Sequence, residues 1–212
     1  MAQVKVKGSE TLFQNKVLEG LTRTHPMVIL SMYVPFCAFL LWYFYNYVEP
    51  SAAVLSFTFF AGVFSWTFFE YILHRYVFHF VGESDFAKRF TYLAHGVHHE
   101  YPKDKKRLVM PPVPSIIVAG VFFSLFKLIL GVYVYAFFSG FVIGYLIYAM
   151  IHYATHAFRA PKGPARFLWE YHNLHHFRYP DKAFGVSSPL WDVVFGTYPP
   201  REHKKKAVTV EA

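Results

Sequence analysis

The sequence predicts an all-α integral membrane protein whose chain crosses the bilayer four times. Three observations predict it. Hydrophobic residues make up 55% and aromatics 21%, against only 16% charged, too apolar for an ordinary soluble domain. The apolar residues gather into runs long enough to span a bilayer core of about 30 Å at about 1.5 Å per helical residue. The basic residues fall almost entirely on one side of those runs. A length of 212 residues fits a single domain covering 1–212.

The first run, about 27–48, carries no charge, and Pro35 is expected to kink it. After Glu49-Pro50 a second run covers 52–73, with Glu70 near its end. The third apolar stretch, Val113 to Ile151, is interrupted only by Lys127. It divides into crossings over 113–130 and 132–152, with Gly131 at the turn, where glycine suits a helix end. Lys127 can snorkel to the nearer interface.

Of the 21 Lys and Arg, 20 fall in residues 1–26, 74–112 and 157–212. Two hairpins put those segments on one face, which the positive-inside rule makes cytoplasmic. A bundle of buried helices in a soluble protein would not sort charge this way. The net charge of +8 therefore follows membrane topology rather than nucleic-acid binding. The N-terminus does not read as a cleaved secretion signal. It is polar, the first run is too long, and no A-x-A site follows. Cys37 is the single cysteine. It reads as a packing residue and excludes an intramolecular disulfide or a thiolate zinc site.

Ten of the twelve histidines form four clusters: His74 and His79; His95, His98 and His99; His152 and His156; His172, His175 and His176. All four lie at or beyond the cytoplasmic interface, within 74–99 and 152–176, so they can converge. Imidazole is the commonest protein metal ligand, and ten suffice for two ions. Helical residues four apart lie about 40° apart around the axis, which aligns His95 with His99, His152 with His156, and His172 with His176. His74 and His79 are about 140° apart on an ideal helix. They need a π-bulge or a helix end, and Gly82 follows them. His25 and His203 stand alone and read as surface residues.

Imidazole suits Zn, Cu, Fe and Ni, so the ligand type leaves the metal open. No cluster offers thiolate, and none forms a two-His-one-carboxylate triad. Glu70, one turn before His74, is the best carboxylate to accept the outer N–H of a ligand histidine. Glu100, Asp104, Glu170, Asp181 and Asp192 read mostly as surface charges.

The clusters resemble those of the fatty acid hydroxylase superfamily, closest to its fatty acid 2-hydroxylase branch. The resemblance rests on Glu70-Tyr71-x-x-His74-Arg75-x-x-Phe78-His79 and on His95-Gly96-x-His98-His99-x-x-Pro102-x-Asp104-x-x-Arg107-Leu108-Val109-x-Pro111-Pro112. It continues with His152-Tyr153-x-x-His156, Tyr171-His172-x-x-His175-His176, and Phe184-Gly185-Val186-x-Ser188-x-x-Trp191-Asp192-x-Val194-Phe195-Gly196-Thr197. It covers roughly residues 60–200. Histidine boxes alone are shared with desaturases; the Asp104–Pro112 run and the Phe184–Thr197 tail are more specific.

The resemblance implies four membrane helices under a cytosolic helical cap that holds a dinuclear metal site. It implies O2-dependent hydroxylation at carbon 2 of a long acyl chain, often one destined for sphingolipid. Many relatives carry a cytochrome b5 domain marked by His-Pro-Gly-Gly. This sequence has only His25-Pro26, so a separate electron donor, such as cytochrome b5 or a ferredoxin, is expected.

The C–H bond at carbon 2 needs an oxidant, and zinc has no accessible redox chemistry. Two iron ions held by the ten histidines are therefore expected, with zinc able to fill the site during purification. Phe57, Phe59, Phe60, Trp66, Phe68 and Phe69 are candidate walls of an acyl cleft, with the head group at the basic face, although each taken singly reads as an ordinary lipid-facing or packing residue. A sterol or carotenoid hydroxylase or desaturase is the competing enzyme class. A metal transporter fits poorly, because transporters place ionisable residues along a mid-membrane path. A membrane zinc hydrolase lacks a marked nucleophile or general base. The membrane is either a bacterial inner membrane or the endoplasmic reticulum.

Overall fold

The computed structural model describes residues 4–5 and 8–200. Lys7, Arg201, His203, Lys204, Lys205 and Lys206, counted above, lie outside the described residues. The described residues form helices and loops, with no strand among them.

Three stretches are long and apolar enough to cross a membrane: Pro26–Tyr47, Ala52–Phe78 and Pro112–Ala157. The first is helix α2 (Pro26–Tyr47), which follows the short α1 (Lys16–Leu21). His25 caps α2, its Nδ1 accepting from the Met27 amide at 3.3 Å, and Pro26 occupies the first turn, where its missing N–H costs nothing. The helix continues through Pro35 and buries one stripe, Ile29, Tyr33, Cys37, Leu40 and Phe44. Cys37 is thus the packing residue expected. The remaining faces expose Phe36, Phe39 and Trp42, apolar surface that suits lipid.

Helix α3 (Ala52–Ile72) starts at Ser51, whose Oγ accepts from the Val54 amide, and runs on as a π-helix over Leu73–Phe78. The expected boundary at 73 thus falls where α-helix gives way to π-helix. Short α4 (Asp85–Thr91), a π turn (Tyr92–Gly96) and α5 (Val97–Glu100) follow. The 46-residue stretch Pro112–Ala157 folds as α6 (Pro112–Leu130) and α7 (Val134–Ala157), joined by a 3-10 turn over Gly131–Tyr133. Gly131 adopts φ +56°, backbone that a side chain would strain. Lys127 lies 4.7 Å from the Tyr135 ring beside this turn. Helix α7 extends past 152 to Ala157, which brings His156 onto the same helix as His152.

The core lies between α2, α3, α6 and α7. Helices α3 and α7 meet through glycine. A Cβ on Gly62 would lie 2.0 Å from the Phe137 carbonyl oxygen, and one on Gly140 would lie 1.8 Å from that of Phe59. Small residues that let backbones touch are the usual way apolar helices associate where lipid competes for larger side chains. Helices α8 (Arg166–Phe177) and α9 (Leu190–Val194) complete the fold.

Candidate metal centre

The ten clustered histidines form two groups of five. One holds His74, His79, His95, His99 and His175; the other holds His98, His152, His156, His172 and His176. Within each group the nitrogens offered lie within 4.8 Å of one another. His25 is exposed and apart from both, as expected.

Local helix geometry explains the sorting. The pairs four apart, His95/His99, His152/His156 and His172/His176, each stay within one group. His98 and His175, a step around their helices, join the opposite groups. The awkward pair His74/His79 is accommodated by the π-helix, closed by a His79 N–H to His74 C=O bond of 3.2 Å. That i→i+5 bond supplies the rotation that an α-helix lacks.

Proton accounting shows that a cation fits. His74 Nδ1 donates to the Phe184 carbonyl at 2.5 Å, His175 Nδ1 to that of Lys182 at 2.7 Å, and His152 Nδ1 to that of Leu108 at 3.0 Å. A neutral imidazole has one N–H, so each Nε2 presents a bare lone pair. Those Nε2 atoms point at other imidazole nitrogens: His74 to His95 at 3.1 Å, His175 to His79 at 3.0 Å, His152 to His98 at 2.9 Å. Converging lone pairs are satisfied together by a metal ion, and the backbone carbonyls fix the ring tautomers for it.

Burial favours the neutral, ligating form. It pushes His79 down to about 4. Burial first, and neighbouring imidazoles second, hold His95, His98, His99, His172, His175 and His176 well below the ordinary histidine value. These rings need not shed a proton to bind metal near neutral pH.

Glu70 does not touch a ligand histidine, contrary to expectation. Its carboxylate accepts from the amides of Val186 and Ser187 at 2.6 and 2.8 Å and from Ser187 Oγ at 2.5 Å. The group beside His74 is instead the Phe184 carbonyl, and Glu70 holds the same loop two and three residues further on, at Val186 and Ser187. Asp192 corrects a second expectation. It is fully buried rather than a surface charge, and accepts from the Phe184 and Gly185 amides at 2.9 and 2.7 Å and from Thr197 Oγ1 at 2.7 Å.

The loop 182–187 therefore offers one carbonyl to each of two ligand helices, Lys182 to His175 and Phe184 to His74. Between them Ala183 takes φ +58°, a conformation that costs a non-glycine residue and persists only where its surroundings enforce it. No single residue type marks a backbone carbonyl, so this layer was invisible to cluster counting. Its one signal was the Phe184–Thr197 motif.

An apolar cavity of about 560 Å³ opens beside the histidines, bordered by His95, His98 and His152. Of the six aromatics expected as walls, Trp66 alone borders it. Phe57 and Phe60 face outward. Phe59 lies where Gly140 brings α7 onto α3. Phe68 packs on Trp191, and Phe69 on Phe122, Phe126 and Phe141. Arg107 also borders the cavity, and its guanidinium is engaged by Glu19, Ser9 and the Glu10 carbonyl.

Residues 57–197 match the fatty acid hydroxylase family. The chain is 42% identical over 146 residues to the dihydroceramide fatty acyl 2-hydroxylase FAH1 of Arabidopsis thaliana, covering 68% of this chain and 62% of that one. It is 40% identical to the ceramide very long chain fatty acid hydroxylase SCS7 of Saccharomyces cerevisiae, covering 91% of this chain and 50% of that one. It is 34% identical to the human fatty acid 2-hydroxylase, covering 90% and 57%. The solved structure of full-length Scs7p, in which only the hydroxylase domain is visible, superposes with a TM-score of 0.84 at 39% identity. That match covers 92% of this chain and 74% of the solved one. The chain spans between half and about three-fifths of the length of these curated relatives. On the family match, the sequence identities and the shared fold, this chain belongs to the fatty acid hydroxylase family.

Proposed function

We propose that this protein hydroxylates carbon 2 of long-chain fatty acyl groups, free or sphingolipid-linked, at a di-iron site held by the ten clustered histidines. One observation carries the reading: two groups of five imidazoles stand side by side at the wall of a single apolar cavity. A fatty acyl chain suits that cavity, and hydroxylation at a C–H bond too weakly acidic for easy base chemistry needs a redox metal beside it. Iron would supply O2 activation, drawing on two electrons from a separate donor such as cytochrome b5 or a ferredoxin. Zinc binds the same nitrogens without redox chemistry, so purified protein filled with zinc would be inactive.

The chain's own residues do the rest. The carbonyls of Phe184, Lys182 and Leu108 keep the protons of His74, His175 and His152 on Nδ1 and their Nε2 atoms free. The apolar walls exclude water and align the chain. His95, His98 and His152, which border the cavity, mark where the reacting carbon would sit.

The reading includes a topology. Helices α2, α3, α6 and α7 would be four crossings, with α1, α4, α5, α8 and α9 a cap on the cytoplasmic face. Residues 1–212 would then act as one hydroxylase domain in a bacterial inner membrane or the endoplasmic reticulum. The charge sorting of the sequence supports this.

The test is mass spectrometry of hydrolysed lipids from cells that express the chain, beside a His175→Ala control. Products hydroxylated at carbon 2 should appear with the intact chain alone. Their absence despite iron and a supplied donor would sink carbon-2 hydroxylation.

A further inference from the structure

We infer that Phe122, Phe138 and Phe141 close the far end of the cavity and set the longest acyl chain the protein accepts. This rests on the acyl substrate proposed above and adds a specificity determinant to it.

The cavity has an open end and a closed one. Its rim is formed by side chains about half exposed, Leu18, Leu21, Phe90 and Val113 at 48, 51, 47 and 51%. Beyond the rim come His95, His98 and His152. Deeper still the lining is buried: Tyr33, Trp66, Val142, Phe141 and Phe138 are each 7% exposed or less. A polar head group keeps contact with water at the half-exposed rim, which leaves the tail to point inward.

The inner end is packed shut by rings. Phe122 and Phe141 lie 5.1 Å apart, and Phe126 backs both at 5.8 and 5.0 Å. Phe138 completes the group on α7. Gly144 fixes the depth at which Trp66 enters, since a Cβ there would meet the Trp66 side chain at 2.5 Å.

The length follows from helix geometry. From His152 to Phe138 the cavity follows fourteen residues of α7, or about 21 Å. An extended chain of single bonds advances about 1.2 Å per bond. With carbon 2 held beside the histidines, the tail meets the rings at a total of roughly nineteen or twenty carbons.

The test uses the purified full chain in detergent and saturated fatty acids of increasing length, competing against a fluorescent fatty acid. Each added methylene should tighten binding about fourfold until about nineteen or twenty carbons, where the rise stops. Phe122→Ala should move that break to longer chains by a few carbons, and Phe122→Trp should move it to shorter ones. Phe138→Leu, gentler on the core, should lengthen it slightly. A break that stays in place in all three variants overturns the inference. So does a rise with no break, which would mean that the tail leaves sideways past Val118, a half-exposed lining residue. Product analysis separates the two readings. A moving break without 2-hydroxy product upholds the length limit and sinks hydroxylation. Product whose chain lengths ignore the variants does the reverse.

Discussion

His98 and His99 are neighbours on α5, yet their imidazoles serve different groups: His98 Nε2 stands 2.9 Å from His152 and His99 Nε2 stands 3.0 Å from His95. Successive helical residues diverge by about 100°, so one short helix can feed two sites. Two single variants should therefore act on two different ions. His98→Ala should weaken one ion and His99→Ala the other, each leaving its neighbour bound, while the double variant loses both. Metal content after dialysis against a chelator, read by elemental mass spectrometry, checks this. Equal loss of both ions in each single variant would show one indivisible site.

Glu70 holds the loop that orients His74 rather than the histidine itself. Glu70→Ala strands the buried amides of Val186 and Ser187, at about 1–3 kcal/mol for each lost partner. Glu70→Gln retains one acceptor oxygen for both amides, and the Ser187 hydroxyl can turn to accept from the new NH2. Thermal unfolding should fall markedly for the alanine and little for the glutamine. The metal beside His74 should loosen with the alanine as the Phe184 carbonyl drifts. Equal metal retention in both variants would remove Glu70 from the positioning of His74.

This difference marks what the sequence could reveal. The histidine groups were legible because imidazole is rare and chemically marked, and because spacings of four and five residues translate directly into helix faces. The same spacing called for a π-bulge or a helix end at His74, and the structure has the π-helix. The long apolar helices were legible from hydropathy, down to the turn at Gly131. The roles of Glu70 and Asp192 were not. Glu70 meets its amides more than a hundred residues away, and a carboxylate near a histidine in sequence looks like its partner until the fold turns it elsewhere. Of the six aromatics offered as cavity walls, five are the outward-facing or packing residues of α3 that each reads as singly, and composition alone does not single out Trp66.

Gly140 tests the α3–α7 contact on which both groups depend, because His74 extends from α3 while His152 and His156 sit on α7. Gly140→Ala would drive a Cβ into the Phe59 carbonyl, a backbone atom that cannot swing aside. The helices must part, and folded, metal-bound protein should be lost. Gly120 on α6 has nothing within 4 Å of the same added atom, so Gly120→Ala should fold normally and gain about 0.5–1 kcal/mol from backbone entropy. Size-exclusion profile and metal content separate the two. A well-behaved Gly140→Ala protein would refute the close contact.

Arg107 ties the N-terminal segment over the cavity. Its guanidinium is 4% exposed and engages Glu19, Ser9 Oγ at 3.2 Å, the Glu10 carbonyl at 2.5 Å and Asp104 at 3.6 Å. Glu19 in turn accepts from the Leu12 and Phe13 amides at 2.9 and 3.1 Å, and Leu12 and Phe13 border the cavity. Lysine cannot replace the planar fork, so Arg107→Lys should free this segment although the charge is kept. Burial raises the Glu19 carboxyl, but Arg23, the two amides and Arg107 outweigh it and leave the group below its ordinary value. A depressed carboxyl contributes stability above its unfolded value and loses it as pH falls through the folded one. The wild-type segment should therefore loosen only in acid, below the usual carboxylate range, while Arg107→Lys loosens it at neutral pH. Trypsin cleavage at Lys16 and Arg23 reads this directly: slow in the wild type at neutral pH and fast in the variant. Equal rates would mean that the segment is held by its apolar contacts, and that Arg107 is not its latch.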